Sequence, residues 1–270
     1  MALLRLGNHC MERSPMALEI YQFPCLSDNF GVLVHDPERG VTASIDAPNA
    51  ESVRAALKHK GWKLSYIFTT HHHADHTDGN LALKSETGCV IIGPKAEAAK
   101  VPGIDTAVSE GDAFRLGSHQ VRVLETPGHT AGHITFHMPA ANVAFVGDTL
   151  FALGCGRVIE GTMEMMWNSL AKLAALPGNT SIYCGHEYTL ANAKFALTIE
   201  PENEALVARA REIEVLRQAG KATLPTRIDL ELATNPFLRV KSEAIRKRLG
   251  LESAADWQVF AEVRNRKNKA

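Results

Sequence analysis

The run Thr69-Thr70-His71-His72-His73-Ala74-Asp75-His76 constrains this chain more than any other segment. Four imidazoles and one carboxylate fall within six positions, directly after the apolar, β-favouring Tyr66-Ile67-Phe68. At this density, imidazole and carboxylate suit zinc, iron or manganese far better than a core or an ordinary surface. The H-x-H-x-D-H spacing therefore predicts a metal-binding loop at the end of a strand.

The rest of the composition is that of an ordinary globular protein, with 45% hydrophobic residues, 22% charged residues and a formal net charge of -1 over 270 residues. That balance gives no reason to expect nucleic acid as a partner. No apolar run approaches the ~20 residues needed to cross a bilayer, so no membrane is expected either. The cysteines are Cys10, Cys25, Cys89, Cys155 and Cys184. They are odd in number and scattered, and none forms C-x-x-C. That argues against a disulfide framework and for a reducing, cytoplasmic setting. Residues 1–15 are polar and patternless, and Ala2-Leu3-Leu4 is too short for a signal-peptide core of roughly 7–15 apolar residues. They are read as a disordered extension outside the fold.

From residue 16 the pattern is strand-rich. Strands are predicted over 18–23, 31–35, 42–45, 65–69, 90–92, 119–124, 134–137, 143–146 and 180–184. Helices are predicted over 49–60, with Asn49 and Gly61 as caps, over 76–85 with Gly88 as the stop, and over 162–176 before Pro177-Gly178. So many strands with helices between them suit two packed sheets with helices outside. After His186 the character changes to helix-like segments, 188–199, 201–219, 242–249 and 253–266. A domain of 16–187 followed by a helical one of 188–270 is expected.

Further ligand-type residues follow other strand ends or turns. They occur in Thr126-Pro127-Gly128-His129-Thr130, Gly147-Asp148-Thr149, Cys184-Gly185-His186-Glu187 and Ser44-Ile45-Asp46. Loops at strand ends are where a rigid scaffold presents reactive groups. The candidate ligands are His71, His73, Asp75, His76, His129, Asp148 and His186, more than one four- or five-coordinate ion can use. Two divalent ions are expected, zinc first, with iron and manganese suited to the same ligands. His71, His73 and His129 would form one site, and Asp75, His76 and His186 the other, with Asp148 bridging. His72 should point away in a locally extended segment. Asp46 reads as a hydrogen-bond partner rather than a ligand, and His133 as a weaker candidate. His9, His35, His59, His119 and His137 read as surface or packing residues.

The order Thr70-His71-His72-His73-Ala74-Asp75-His76, His129, Asp148, His186 resembles the metallo-β-lactamase superfamily. Within it, the sequence is most similar to the glyoxalase II (hydroxyacylglutathione hydrolase) family. The similarity is carried by Gly147-Asp148-Thr149-Leu150-Phe151, Gly154-Cys155-Gly156-Arg157, Glu160-Gly161-Thr162, Cys184-Gly185-His186-Glu187-Tyr188-Thr189, Thr234-Asn235-Pro236-Phe237-Leu238-Arg239 and Arg264-Asn265-Arg266-Lys267. The resemblance implies an α+β fold, a four-layer αββα sandwich followed by a small all-helical C-terminal domain. It also implies that Arg157, Tyr188, Arg264 and Lys267 hold glutathione. This chain departs from the family pattern at Ala74, at Ile159 and in Asp28-Asn29-Phe30, and none of these departures is expected to touch a ligand.

The implied reaction is hydrolysis of S-(2-hydroxyacyl)glutathione thioesters, such as S-lactoylglutathione, by a hydroxide held between two metals, in methylglyoxal detoxification. Asp75 and His76 would be catalytic as well as ligands. From Arg239 to Ala270 the chain carries nine basic and four acidic residues, a cationic tail suited to a substrate with carboxylates. A monomer is expected. The alternative is another enzyme of the same fold, such as a persulfide dioxygenase or lactonase.

Overall fold

A computed structural model describes residues 17–270. The extension expected over residues 1–15 lies outside the described residues. Along the chain run β1 (Glu19–Cys25), β2 (Asn29–Asp36), β3 (Val41–Ile45), α1 (Ala50–Lys60), β4 (Leu64–Phe68), α2 (Ala74–Thr77), α3 (Asn80–Thr87), β5 (Val90–Pro94) and β6 (Thr106–Val108). Then come β7 (Ala113–Leu116), β8 (His119–Glu125), β9 (Ile134–Met138), β10 (Val143–Gly147), β11 (Leu150–Phe151), β12 (Gly154–Cys155), α4 (Met163–Ala174) and β13 (Ser181–Cys184). The tail holds α5 (Thr189–Ile199), α6 (Glu204–Gln218), β14 (Thr226–Arg227), α7 (Ile228–Thr234), α8 (Glu243–Leu249) and α9 (Asp256–Asn268).

Two six-stranded sheets result, ordered β1-β2-β3-β4-β5-β6 and β14-β13-β10-β9-β8-β7. Their layering follows from the two-residue alternation of strand side chains. In β4, Phe68 points between the sheets, into a core with Val34, Ile45, Val123, Phe136 and Phe145. Its neighbour Ile67 points outward, into a core with Val53 and Leu57 of α1 and Leu83 of α3. On the far side, Met166, Leu170 and Leu173 of α4 pack on Ala144, Val146 and Ile182. The fold is the expected metallo-β-lactamase sandwich with a helical C-terminal region. That region shares the same outer core through Phe195, Phe237, Phe260 and Val263, and its two-residue β14 extends the second sheet beside β13. Among the described residues, no helix is long and apolar enough to cross a membrane.

Local chemistry explains the element ends. Asn49 caps α1 by accepting from the Ser52 N–H at 3.0 Å, and Gly61 closes it in the left-handed region. The helix expected over 76–85 is instead two helices, α2 and α3. Gly79 breaks it because its backbone docks on Ala47, where an added Cβ would lie 2.9 Å from the Ala47 carbonyl oxygen. The short strands β6, β7, β11, β12 and β14 and the seven-residue α7 are too brief to show a periodic pattern.

One carboxylate ties the two sheets together at the end remote from the histidine loop. Asp36, at the end of β2, is fully buried. It accepts from the backbone N–H groups of Glu38 and Arg39 and from both the N–H and hydroxyl of Ser118, in the β7–β8 turn. Burial opposes its charge, but these donors outweigh burial and bring the carboxyl from 3.8 to about 2. Because the folded pKa lies below the unfolded one, this stabilisation is present above 3.8 and lost as pH falls through about 2. Asp36→Asn should therefore cost about 2 kcal/mol near neutral pH. Chemical denaturation of parent and variant from neutral pH down to pH ~2 checks this; their stabilities should converge at the acid end.

Candidate metal centre

Strand direction gathers the candidate ligands at one edge. β3 and β4 are parallel, so Asp46 and the histidine loop leave the first sheet side by side. β10 and β13 are also parallel, with Gly147 beside Cys184, so Asp148 and His186 emerge together. The β8–β9 turn brings His129 to the same edge. The Ile134 N–H of β9 donates to the Thr70 carbonyl at 2.9 Å and joins the two groups of loops. Two glycines permit the approach. Gly147 has φ +46°, and a Cβ there would lie 2.5 Å from Thr70 Oγ1; one at Gly185 would lie 2.6 Å from Asp148 Oδ1.

All seven sequence-derived candidates converge. His71, His73 and His129 offer nitrogens that lie within 4.8 Å of one another, as do the ligand atoms of Asp75, His76 and His186, and those of His71, His76 and Asp148. His129 Nε2 is 3.0 Å from His73 Nδ1. Asp148 stands between the two groups. Its Oδ1 is 3.4 Å from His76 Nε2, and its Oδ2 is 3.5 Å from His129 Nε2 and 3.3 Å from His186 Nε2. Asp75 Oδ2 is 3.4 Å from His186 Nε2.

Four of the rings are fixed from behind, which leaves Nε2 for the centre. His76 Nδ1 donates to Asp46 Oδ2 at 2.8 Å, His186 Nδ1 to Asp28 Oδ1 at 2.8 Å and His129 Nδ1 to the Arg157 carbonyl at 2.9 Å. His71 Nδ1 donates to Thr70 Oγ1 at 3.0 Å, and that hydroxyl in turn donates a hydrogen bond to Asp46 Oδ2 at 2.9 Å. Asp46 Oδ1 also accepts the Thr70 N–H. Asp46 thus orients one histidine from each group, in the partner role expected for it.

His72 turns away, with its ring nitrogens toward Glu97 and Glu160. His133 is buried behind the centre. It accepts the Asp148 N–H on Nε2, and its Nδ1 lies within hydrogen-bond distance of the Thr126 and Thr149 hydroxyls. His35 stacks on Trp62, and His59 lies against Tyr21, outside the cluster.

The expectation about Asp28-Asn29-Phe30 needs correction. Asp28 bonds His186, and Asn29 Nδ2 donates to Asp75 Oδ2 at 3.2 Å. The contact arises because the Phe30 N–H pairs with the Gly185 carbonyl at 2.8 Å. No local pattern in the sequence marks that long-range pairing. Ala74 and Ile159 are exposed.

The electrostatics favour a cation. Burial and neighbouring imidazoles push the His71 pKa well down. At His76, burial is outweighed by the carboxylates of Asp148, Asp46 and Asp75, and the pKa is raised. At His186, burial is again outweighed, by Asp148, Asp75 and Asp28, and the pKa rises to about 11. The hydrogen bond from His186 lowers the Asp75 carboxyl, and Asp148 is lowered against burial by His76, His186 and His129. His71 Nε2, His76 Nε2 and Asp148 Oδ1 are buried without a hydrogen-bond partner. Unsatisfied inward atoms of this kind, borderline and hard donors together, fit divalent ions.

Beside the cluster lies a cavity of about 570 Å³, whose lining includes His73, Asp75, His129, Asp148 and His186. Arg157, Tyr188, Arg264 and Lys267 line the same cavity. Tyr188 stacks on His186 with ring centroids 4.8 Å apart and planes 3° apart. Arg264 is buried, donating to the Cys155 carbonyl at 3.0 Å. Lys267 Nζ donates to the Ala191 carbonyl. Among the basic residues from Arg239 onward, Arg239 stands in an ion pair with Glu200, Arg246 with Asp256, Arg248 with Glu202 and Arg266 with Glu262.

A family model for the metallo-β-lactamase superfamily matches residues 40–186, and one for the hydroxyacylglutathione hydrolase C-terminus matches residues 187–270. The hydroxyacylglutathione hydrolase of Brucella anthropi is 60% identical over 251 residues, 93% of this chain and 96% of the relative. This chain belongs to the hydroxyacylglutathione hydrolase family. Among solved structures, ETHE1 from Myxococcus xanthus matches with a TM-score of 0.64 at 25% identity, covering 93% of this chain and 98% of that one. TTHA1623, solved in a di-iron-bound form, matches with a TM-score of 0.59 at 22% identity, covering 81% of this chain and all of that one. The family fold and the His/Asp clusters together indicate divalent metal ions.

If Asp148 serves both groups, removing its charge should disturb both. Asp148→Asn is expected to reduce bound metal from two ions per chain to one at most. Metal analysis of gel-filtered protein measures this, and two ions retained would end the bridging assignment.

Proposed function

We propose that this protein hydrolyses S-(2-hydroxyacyl)glutathione thioesters, such as S-lactoylglutathione, to a 2-hydroxy acid and glutathione. The observation that carries the reading is a single cavity whose lining holds both the His/Asp cluster and Arg157, Tyr188, Arg264 and Lys267. Family membership points the same way. Residues 16–187 would carry the chemistry, and residues 188–270 would supply most of the wall that holds the peptide.

His71, His73 and His129 would hold one ion, and Asp75, His76 and His186 the other, with Asp148 between them. Two divalent ions so held supply a nucleophile at neutral pH and polarise the thioester carbonyl. Zinc is the first expectation; iron and manganese suit the same donors.

The protein's own groups do the rest. Asp75 has a side chain that is 44% exposed, so its carboxylate reaches both the centre and the cavity. It would accept a hydrogen bond from the attacking water and orient it, while Asn29 donates to the carboxylate and helps to hold it. Burial, with nearby Asp28, Asp148 and Asp75, pushes the Tyr188 phenol up to about 12, so it remains a donor for the peptide at neutral pH. Arg157, Arg264 and Lys267 give a cationic wall for the two carboxylates of glutathione. The leaving thiolate, from a thiol of pKa ~8.5, departs without strong acid assistance. That agrees with a cavity whose lining includes no Ser–His pair.

The test is thiol release from S-lactoylglutathione, with metal content measured on the same sample. Two bound metals and no thiol release would sink the reading. Asp75→Ala, metal-loaded, should lose at least about a thousandfold in kcat, as expected when a positioned catalytic group is removed. Lys267→Ala should mainly raise KM.

A further inference from the structure

The hairpin β11–β12 lies between Asp148 and Arg157, the residue whose carbonyl orients His129. It is buried almost throughout, from Leu150 to Cys155. At its turn, Leu153 stands in the left-handed region with φ 56°, a conformation that costs a branched residue energy unless its surroundings impose it. Two-stranded hairpins are not stable alone, so what holds this one matters.

Side chains of the helical tail supply its polar partners. The Leu153 N–H donates to Glu231 Oε2 at 2.8 Å. Asn235 Nδ2 donates to the Phe151 carbonyl at 3.2 Å, to the Gly154 carbonyl at 3.0 Å and to Glu231 Oε2 at 2.9 Å. Asn192 donates to the Ala152 carbonyl at 3.1 Å and Arg264 to the Cys155 carbonyl at 3.0 Å. Five backbone groups over five consecutive residues are thus satisfied from α5, α7, α9 and the residue that follows α7. Glu231 is itself fully buried, held by Arg209 at 2.6 Å and by the Thr226 hydroxyl.

We propose that Asn235 and Glu231 are positioning residues for the metal centre, acting through this hairpin to set the Asp148 carboxylate and the Arg157 carbonyl behind His129. The tail then does more than hold substrate: it completes the scaffold of the ligands. This rests on the ligand set proposed above, not on the reaction. At the hairpin's base, the Gly156 N–H pairs with the Thr149 carbonyl, and a Cβ on Gly156 would lie 1.9 Å from the Asp148 carbonyl oxygen. A shift of the hairpin is therefore passed directly to Asp148.

The test is zinc affinity by chelator competition on the full chain, for the parent, Asn235→Ala and a control, Leu57→Ala. Leu57 lies in the core under α1, across the sandwich. Asn235→Ala should weaken at least one of the two ions by about tenfold or more, the usual effect of losing a group that orients a ligand. Leu57→Ala should lose thermal stability while keeping both affinities. Hydrogen exchange should quicken in the 149–157 segment of Asn235→Ala and stay slow in α1. If Asn235→Ala does not fold, Asn192→Ala, which strips only the Ala152 carbonyl, should show the same direction with a smaller change. Parental zinc affinity in a folded Asn235→Ala, or the same loss in Leu57→Ala, would overturn the proposal. Two ions bound by a parent that hydrolyses no thioester would count against the reaction alone.

Discussion

The centre depends on the hydrogen bonds behind its histidines. An imidazole that is free to rotate presents either nitrogen in many directions; one whose Nδ1 is committed presents Nε2 along a single line. Asp46, Asp28 and the Arg157 carbonyl make that commitment for three rings, and Thr70 relays Asp46 to a fourth. Asp46 itself has φ 54°, outside the range a non-glycine residue prefers. Its N–H pairs with the Phe68 carbonyl, so the sheet holds this strained turn in place. The rigidity of β3 and β4 is in this way converted into the aim of two rings.

Such a cluster opposes its own formation. Imidazoles and carboxylates crowded into a buried volume lose hydration, and like groups repel. Three separate apolar cores surround the edge that carries the cluster, between the sheets and on both outer faces. They supply the favourable burial that allows it. Asp75 and Asp148 drive the imidazoles of His76 and His186 toward the cationic form, whereas His71 is held neutral by burial. A divalent ion would replace those protons as the counter-charge, which links metal uptake to proton release.

Most of the candidate ligands were legible because they cluster in sequence or stand beside glycines at strand ends. His71 to His76 sit within one loop, and Gly147-Asp148 and Gly185-His186 mark close backbone approach. Periodicity likewise revealed the long strands, the caps of α1 and the helical character of the tail. What it could not show was pairing at a distance. Asp28 and Asn29 reach the centre only because β2 begins beside His186, and His133, the loop residue just before β9, supports Asp148. The break between α2 and α3 also depends on a partner, Ala47, more than thirty residues away. Charge was a partial guide. From Arg239 onward, Arg239, Arg246, Arg248 and Arg266 are paired, and the basic residues of that stretch that line the cavity are Arg264 and Lys267.

The buried Arg209–Glu231 pair shows why the tail belongs to the same physical unit as the sheets. A buried ion pair is weak grounds for stability, because desolvation offsets most of its attraction, and apolar replacements of similar volume are often neutral or better. An apolar side chain at position 231 would, however, leave the Leu153 N–H without an acceptor and the Asn235 amide without one of its partners. Each such buried group costs far more unmet than a typical hydrogen bond contributes when made. Glu231 must then be charged or hydrogen-bonded on its other oxygen, and Arg209 and Thr226 meet that need. The chain of requirements runs from Arg209 on α6, through Glu231 on α7, to the hairpin that joins Asp148 to Arg157. The polar interior of the tail follows from the geometry demanded at the metal edge.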